Sequence, residues 1–119
     1  MIDIKRGEIY LANLGNSKHT DIGKIRPVLI FQNDLLNKMI SENLYDEVVI
    51  VPLSTKIRNN DFTLNIKKRD SLKEDSSILC NAVKMINVKR LQVDKGVLTK
   101  LDNKEIAEVE KRLKLLLAL

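Results

Sequence analysis

The stretch Gly23-Lys24-Ile25-Arg26-Pro27-Val28-Leu29-Ile30 marks the point where a polar loop becomes a buried strand. Pro27 fixes its own φ and disfavours the helical region for Arg26, so we expect the arginine backbone to be extended. The apolar residues that follow predict a strand that holds this backbone rigidly. A planar, permanently charged guanidinium with five donors on a rigid base is well suited to holding a phosphate. Arg26 is therefore the first candidate functional residue.

Apolar patterning along the rest of the chain predicts a mainly β protein. Residues 27–32 and 47–53 are continuous apolar runs rich in Val and Ile, typical of buried strands. Residues 7–14 alternate in a way that predicts a strand covered on both faces. Between the two apolar runs, Asn33 and Asp34 are suited to capping a short helical turn. A half-exposed strand is predicted at 62–66, another strand at 77–85, and a sixth short segment at 88–93.

A helix is predicted at the C-terminal end of the chain. Asp102 is a good N-cap, Glu105 completes a capping box, and Leu101 with Ile106 fits a hydrophobic staple. One apolar stripe follows at helical spacing: Ile106, Val109, Leu113, Leu116 and Leu117. Leu115 and Leu119 are leucines outside the stripe. Either the end of the helix is packed on two sides, or it takes part in a dimer interface. A helix packed only on its own sheet fits the pattern equally well. Five or six short strands with one terminal helix indicate a small β-barrel.

Composition limits the class of protein. A chain of 119 residues with 44% hydrophobic and 31% charged residues predicts one folded domain over 1–119. The net charge of +5 favours a polyanionic partner such as nucleic acid, although an ordinary basic surface has the same charge. The two Tyr, two Phe and no Trp argue against binding by base stacking. No apolar run is long enough for a signal peptide or membrane span, which predicts a cytoplasmic protein.

Most catalytic motifs are absent from the sequence. With Cys80 as the single cysteine and His19 as the single histidine, an internal disulfide is excluded and a standard zinc site is not expected. No motif for a nucleotide cofactor or for a serine hydrolase occurs. A Cys80–His19 nucleophile pair is an alternative, but Cys80 lies in an apolar run and fits a small core residue better.

A second candidate site follows the apolar run at 47–53. Ser54 and Thr55 end this predicted strand, and the basic residues Lys56 and Arg58 come next. Hydroxyl donors at a strand end can hold a phosphate oxygen. They can equally satisfy the backbone of a turn. The pattern alone leaves both interpretations open.

Taken together, these segments resemble the MazF/PemK family of toxin endoribonucleases over nearly the whole chain. Residues 5–14 are similar to the family's opening RG(D/E)(I/V)(Y/W), and residues 20–28 to its (S/H)Ex(x)GxRPV, with Asp21 in place of the usual Glu. The other similar segments follow in the family's order: Phe31-Gln32-Asn33-Asp34, Val51-Pro52-Leu53-Ser54-Thr55, Asp75-Ser76-Ser77-Ile78-Leu79-Cys80 and Ile86-Asn87-Val88-Lys89-Arg90-Leu91.

The resemblance implies a homodimeric, SH3-like barrel of the PemK/CcdB type with a C-terminal helix. It also implies ribosome-independent and metal-independent cleavage of single-stranded mRNA at short sequence motifs. The ribose 2′-OH would attack the adjacent phosphate and leave a 2′,3′-cyclic phosphate and a 5′-OH. Arg26 and Ser54 correspond to the family's catalytic Arg and Thr/Ser. The implied partners are RNA and a MazE-like antitoxin whose acidic tail blocks the RNA groove; no cofactor is implied.

Nine further residues are candidate catalytic or RNA-binding groups: His19, Thr20, Asp21, Lys24, Thr55, Lys56, Arg58, Asn81 and Lys84. His19 has a suitable intrinsic pKa for proton transfer, and some relatives carry a histidine at the position of Thr20. We expect Lys24, Lys56 and Arg58 to line a positive groove with Arg26. Asn81 and Ala82 stand where the family often has an acidic residue and Gln, so base contacts and the cleavage motif are expected to differ.

Two other functions fit the same resemblance. A CcdB-like toxin would bind DNA gyrase without cutting RNA, but those relatives lack the pairing of Arg-Pro with Pro-x-Ser-Thr. A non-catalytic RNA-binding barrel would bind RNA without cleaving it, and the low aromatic content argues against it.

Overall fold

The computed structural model describes residues 2–15 and 25–119. These residues form seven β-strands and two α-helices. In chain order they are β1 Glu8–Asn13, β2 Ile25–Ile30, α1 Asp34–Ser41, β3 Glu47–Ser54, β4 Thr63–Ile66, β5 Ser76–Leu79, β6 Lys84–Asn87, β7 Thr99–Lys100 and α2 Asn103–Leu117. Short 3₁₀ turns occupy Cys80–Ala82, Val88–Arg90 and Val93–Lys95. Neither α-helix in this part of the chain is long and apolar enough to cross a membrane.

The strands form one antiparallel sheet in the order β4-β5-β3-β2-β1-β7, with β6 also paired to β3. β3 is the central strand. One edge pairs with β2, and the other edge pairs first with β6 and then with β5. The sheet curls into a half-barrel with α2 packed on one side, which confirms the predicted β-barrel with a C-terminal helix.

The neighbouring strands β1, β2 and β3 supply side chains to two hydrophobic cores on opposite faces of the sheet. The first core contains Tyr10, Ala12, Val28, Ile30, Val48 and Ile50, together with Ile40 of α1. The second core contains Ile9, Leu29, Val51, Leu53 and Ile78, together with Leu101 and Val109 at α2. Both faces of β1 are therefore covered, as its alternating sequence predicted.

The N-terminal end of α2 has the predicted capping box. The backbone N–H of Glu105 donates to Asp102 Oδ1 at 2.8 Å, and the backbone N–H of Asp102 donates to Glu105 Oε1 at 3.0 Å. Val109 is fully buried, whereas Leu115 and Leu117 near the other end are 58% and 57% exposed. Within the predicted stripe, Val109 is thus fully buried and Leu117 is exposed, and Leu115 lies outside the stripe as its spacing indicated.

The Phe31-Gln32-Asn33-Asp34 segment has a structural role. The buried Gln32 side chain donates to the carbonyl of Glu47 at 3.1 Å and accepts from the N–H of Val49 at 3.2 Å, which ties β2 to β3. Asn33 caps α1 by accepting from the N–H of Leu36 at 2.8 Å. The predicted helical turn is confirmed, and it extends to Ser41.

Two sequence predictions need correction, and one strand was not predicted. The single strand predicted at 77–85 is two strands, β5 and β6, separated by the 3₁₀ turn at Cys80–Ala82. The interruption arises because β5 and β6 pair with successive parts of the same β3 edge, so the chain steps from one to the other. The segment predicted at 88–93 consists mainly of 3₁₀ turns. The two-residue β7 was not predicted, because only its pairing with Glu8 and Ile9 defines it.

Candidate functional site

A cavity of about 450 Å³ opens at the start of β2 and the end of β3. Arg26, Ser54 and Thr55 all line it, so the structure brings the two candidate segments of the sequence together. Its floor is apolar and includes Leu11, Pro27 and Leu53. Arg26 and Ser54 are half-buried and Thr55 is exposed.

The strand register explains why Arg26 and Ser54 meet. β2 and β3 run antiparallel with Val28 opposite Pro52, and continuing this register by two residues places Arg26 opposite Ser54. On the other edge of β2, Arg26 is paired with Ala12 of β1. Pro27 and Pro52 are the only prolines in the chain, and neither can donate a ladder hydrogen bond. The β2–β3 ladder ends at Val28–Pro52, and the cavity lies beyond that pair.

The Ser54 hydroxyl stabilises a turn and keeps a donor for a ligand. The backbone N–H of Lys56 donates to Ser54 Oγ at 3.1 Å. This bond uses an acceptor lone pair and leaves the hydroxyl hydrogen available to a cavity ligand. The next part of the turn is fixed because the N–H of Arg58 donates to the buried Ser77 Oγ at 2.9 Å. The two interpretations of this hydroxyl are therefore compatible.

The sequence matches the family of PemK-like, MazF-like toxins of type II toxin–antitoxin systems over residues 5–117. The chain belongs to this toxin family. The resemblance drawn from its motifs is therefore confirmed.

Solved structures from several bacteria share the fold of this PemK/MazF-type toxin. A mycobacterial endoribonuclease in complex with its cognate antitoxin is 20% identical, with 98% of this chain and 96% of that chain covered and a TM-score of 0.75. The toxin MazF-mt6 of Mycobacterium tuberculosis is 18% identical, with 94% and 97% covered and a TM-score of 0.72. A MazE–MazF complex of Deinococcus radiodurans is 15% identical, with 100% and 99% covered and a TM-score of 0.77.

Sequence reasoning missed one wall of the toxin's cavity. Ser71, Leu72, Lys73, Glu74 and Ser76 line the side formed by the connection between β4 and β5. No periodicity marks this segment as part of a site, and it is far in sequence from Arg26 and Ser54. The only available signal was its position immediately before the family-like Asp75-Ser76 pair.

Several predicted site residues of the toxin lie outside this cavity. Lys56 and Arg58 are exposed on the turn after β3, so the expected positive groove includes them only beyond the cavity itself. Asn81 is exposed in a 3₁₀ turn, and Lys84 is exposed at the start of β6, opposite Ile50. Four predicted residues, His19, Thr20, Asp21 and Lys24, lie outside the described residues.

Cys80 of this toxin is fully buried in the second core. Burial raises the pKa of its thiol to about 11, because the thiolate would be poorly solvated there. Cys80 does not line the cavity with Arg26 and Ser54. It is a core residue, as its apolar surroundings in the sequence predicted.

Proposed function

We propose that this toxin is an endoribonuclease that cleaves single-stranded mRNA without a metal ion. The RNA 2′-OH would attack the adjacent phosphate and leave a 2′,3′-cyclic phosphate and a 5′-OH. The observation that carries the proposal is the convergence of Arg26 and Ser54 on one cavity. Structural relatives described as endoribonucleases support it.

The chemistry of the two side chains suits this reaction. Attack of the 2′-OH concentrates negative charge on a pentacoordinate phosphorus, so donors fixed in place before the reaction lower the barrier. Arg26 offers a bidentate fork to two phosphate oxygens, and Ser54 offers its remaining hydroxyl hydrogen. An arginine stays protonated at neutral pH and is therefore a poor general base. His19 is a candidate for proton transfer because its intrinsic pKa is suitable, and a solvated loop histidine without a catalytic role is the favoured alternative.

The deciding experiment is cleavage of a long, mostly unstructured RNA in EDTA, with the ends of the products mapped. We expect discrete cuts with cyclic-phosphate ends. Arg26→Ala and Ser54→Ala should each lower the rate by roughly 100-fold or more, as for loss of a transition-state donor. Arg58→Ala removes the same charge as Arg26→Ala at a residue that does not line the cavity, and should alter binding more than the rate.

Intact RNA with a folded wild-type protein would contradict the proposal. Inhibition of gyrase by that protein would then favour the CcdB-like alternative. RNA binding without cleavage would favour a binding module. If cleavage is lost in EDTA and restored by a divalent cation, the metal-free mechanism is contradicted but the endoribonuclease activity is not.

An acidic antitoxin tail is the proposed protein partner. Mycobacterial and Deinococcus relatives are known as complexes with an antitoxin. Arg26 and Lys73 place two cations at the cavity, and both a polyphosphate strand and an acidic peptide are attracted to such a site. A synthetic acidic tail peptide should compete with RNA, and its inhibition should weaken with salt. No inhibition by the peptide at low salt would contradict this partner.

We also propose that the toxin is a homodimer acting in the cytoplasm, where mRNA is found. The end of α2 supports self-association because Leu115, Leu117 and Leu119 are all more than half exposed there. Exposed leucines near the end of a helix offer apolar area for contact with a second copy of the chain. Sedimentation over a range of protein concentrations tests the dimer, and Leu117→Lys should shift the equilibrium toward monomer. The matched change Leu35→Lys on α1 should not.

A further inference from the structure

The part of the cavity lining that lies between β4 and β5 follows from a tight turn at residues 69–72. The N–H of Arg69 donates to the carbonyl of Leu72 at 3.1 Å, and the N–H of Leu72 donates back to Arg69 at 2.8 Å. The Leu72 side chain is buried in the second core. Lys73, which follows it, is exposed and lines the cavity. The lysine therefore extends from a backbone anchored by the core.

The Arg69 guanidinium clamps this turn to the rest of the protein. Its Nη1 and Nη2 donate to the two carboxylate oxygens of Glu105 at 2.7 and 2.8 Å. Nη2 also donates to the carbonyl of Lys100 at 2.7 Å, and Nε donates to Thr99 Oγ1 at 3.2 Å. A bidentate pair of this kind fixes both distance and orientation. The turn is thus held to β7 and to the first turn of α2.

Neighbouring residues strengthen the clamp. The Thr99 hydroxyl donates to Asp70 Oδ2 at 2.6 Å, and the N–H of Ser71 donates to the carbonyl of Leu98 at 2.9 Å. Asp70 has a φ of 51°, in the left-handed region, which Asp adopts more readily than most residues other than Gly and Asn. The turn therefore has little freedom to shift relative to β7.

Lys73 is available to an anionic ligand. Among residues 2–15 and 25–119, no carboxylate forms an ion pair with its amine, although the adjacent Glu74 also lines the cavity. Single-stranded RNA carries one phosphate per nucleotide, so a strand with one phosphate at Arg26 has a second close by. Lys73, which lines the same cavity as Arg26, offers a cation for that second charge.

We propose that Lys73 binds the phosphate of a nucleotide flanking the cleaved bond, and that Arg69 is the positioning residue that holds the Lys73 turn. The proposal rests on the proposed function, since its ligand is the RNA strand held at Arg26 and Ser54. Loss of Lys73 should weaken binding of the strand without removing a transition-state donor.

The first test measures binding of a short single-stranded DNA, which lacks the 2′-OH and is not cleaved, over a range of salt concentrations. Lys73→Gln should make the slope of log K against log salt shallower by about 0.7, the value for one phosphate contact on a single strand. In RNA cleavage it should raise KM up to about fivefold and leave kcat within about twofold. Lys38→Gln, an equal charge change on α1 away from the cavity, should do neither.

The second test examines the positioning role. Arg69→Gln should weaken binding in the wild-type background and have no further effect in the Lys73→Gln background, because the clamp acts through that lysine. Glu105→Gln keeps the capping-box acceptor and should reproduce part of the loss. Arg69→Lys should retain only part of the wild-type binding, although more than Arg69→Gln, since a lysine cannot form the bidentate pair. Urea denaturation of each variant identifies any that is not folded under the assay conditions.

The outcomes separate this inference from the proposed function. Normal cleavage with an unchanged salt slope in Lys73→Gln would overturn the inference and leave the proposed function standing. Strand binding that depends on Lys73, without RNA cleavage, would overturn the proposed function and support phosphate binding at Lys73. Equal effects of Arg69→Gln in both backgrounds would overturn the positioning role. No binding of the single-stranded DNA together with intact RNA would overturn both.

Discussion

Burial separates reactive side chains from inert ones at the scale of single residues, and Cys80 shows this clearly. With its pKa raised to about 11, only about one Cys80 thiol in a thousand is ionised at pH 8. We expect a thiol-specific disulfide reagent to modify the native protein at least about 100-fold more slowly than the protein in guanidinium, where one thiol per chain should react. Rapid labelling of the native protein would contradict this and revive the Cys80–His19 alternative.

The backbone conformation of Gly7 leads to a second prediction at the scale of single residues, which concerns stability. Its φ is 95°, and a Cβ built there would lie 3.1 Å from Cδ1 of Ile106 on α2. Gly7→Ala should therefore lower the free energy of unfolding by about 1–2 kcal/mol from backbone strain, plus the cost of displacing Ile106. Urea denaturation measures this loss.

The control is the same substitution in an Ile106→Val background, which lacks the Cδ1 atom. There Gly7→Ala should cost less, because only the backbone strain remains. Equal costs in both backgrounds would show that contact with α2 is not part of the effect.

Individual functional residues differ in how visible they are in the sequence. Arg26 is visible because the proline after it and the apolar run beyond mark a rigid strand start. Ser54 is visible because it ends another apolar run. Lys73 is not visible, since it follows a buried leucine that no period-2 or helical pattern identifies. Its place in the cavity depends on the clamp between Arg69 and Glu105, which are 36 residues apart.

At the scale of the element, Glu105 both caps α2 and pairs with Arg69, and only the capping could be predicted from the sequence. Its capping box with Asp102 is local in sequence, whereas its pairing with Arg69 arises from the fold. The Arg69 guanidinium holds the pKa of the Glu105 carboxyl below its usual range. A carboxyl whose pKa is lower in the folded than in the unfolded state stabilises the fold above its unfolded pKa of about 4.3, and this contribution is lost as pH falls through the folded value.

Glu105→Gln should test this linkage because it keeps the capping-box acceptor and removes the charge. We expect the variant to unfold with a free energy about 1 kcal/mol lower than wild type at neutral pH. The difference should stay constant down to about pH 5 and close below about pH 4. Urea denaturation across this range measures it. A difference of the same size at pH 3 and pH 7 would show that the ionised carboxylate is not its source.

Strands and helices were predicted correctly where their own residues carry the pattern, and missed where pairing with another strand defines them. The strands at 27–32 and 47–53 and the C-terminal helix were predicted because each carries many apolar positions or a complete cap. The break between β5 and β6 was not, because residues 77–85 are apolar throughout most of their length and the break is imposed by β3. The two-residue β7 has no signal of its own and exists because Glu8 and Ile9 pair with it.

The whole molecule is organised around strands that belong to two cores at once. β1 contributes Tyr10 to the first core and Ile9 to the second, and β3 contributes Ile50 and Val51 in the same way. Unfolding either core would separate strands that the other core requires. The two cores therefore cannot unfold independently, and the protein should show a single cooperative transition.

Conservative substitutions in each core test this coupling. Ile50→Val in the first core and Ile78→Val in the second should each lower the free energy of unfolding by about 1 kcal/mol, since both isoleucines are fully buried. The urea m-value should stay unchanged, because the same surface is exposed on unfolding. Two signals follow the two sides of the sheet. Tyrosine absorbance reports Tyr10 in the first core and Tyr45 packed against it, and far-ultraviolet circular dichroism at helical wavelengths reports mainly α2, beside the second core. At one fixed protein concentration, both signals should give the same midpoint in wild type and in each variant. Midpoints that separate in either variant would show that the cores unfold as distinct units despite their shared strands.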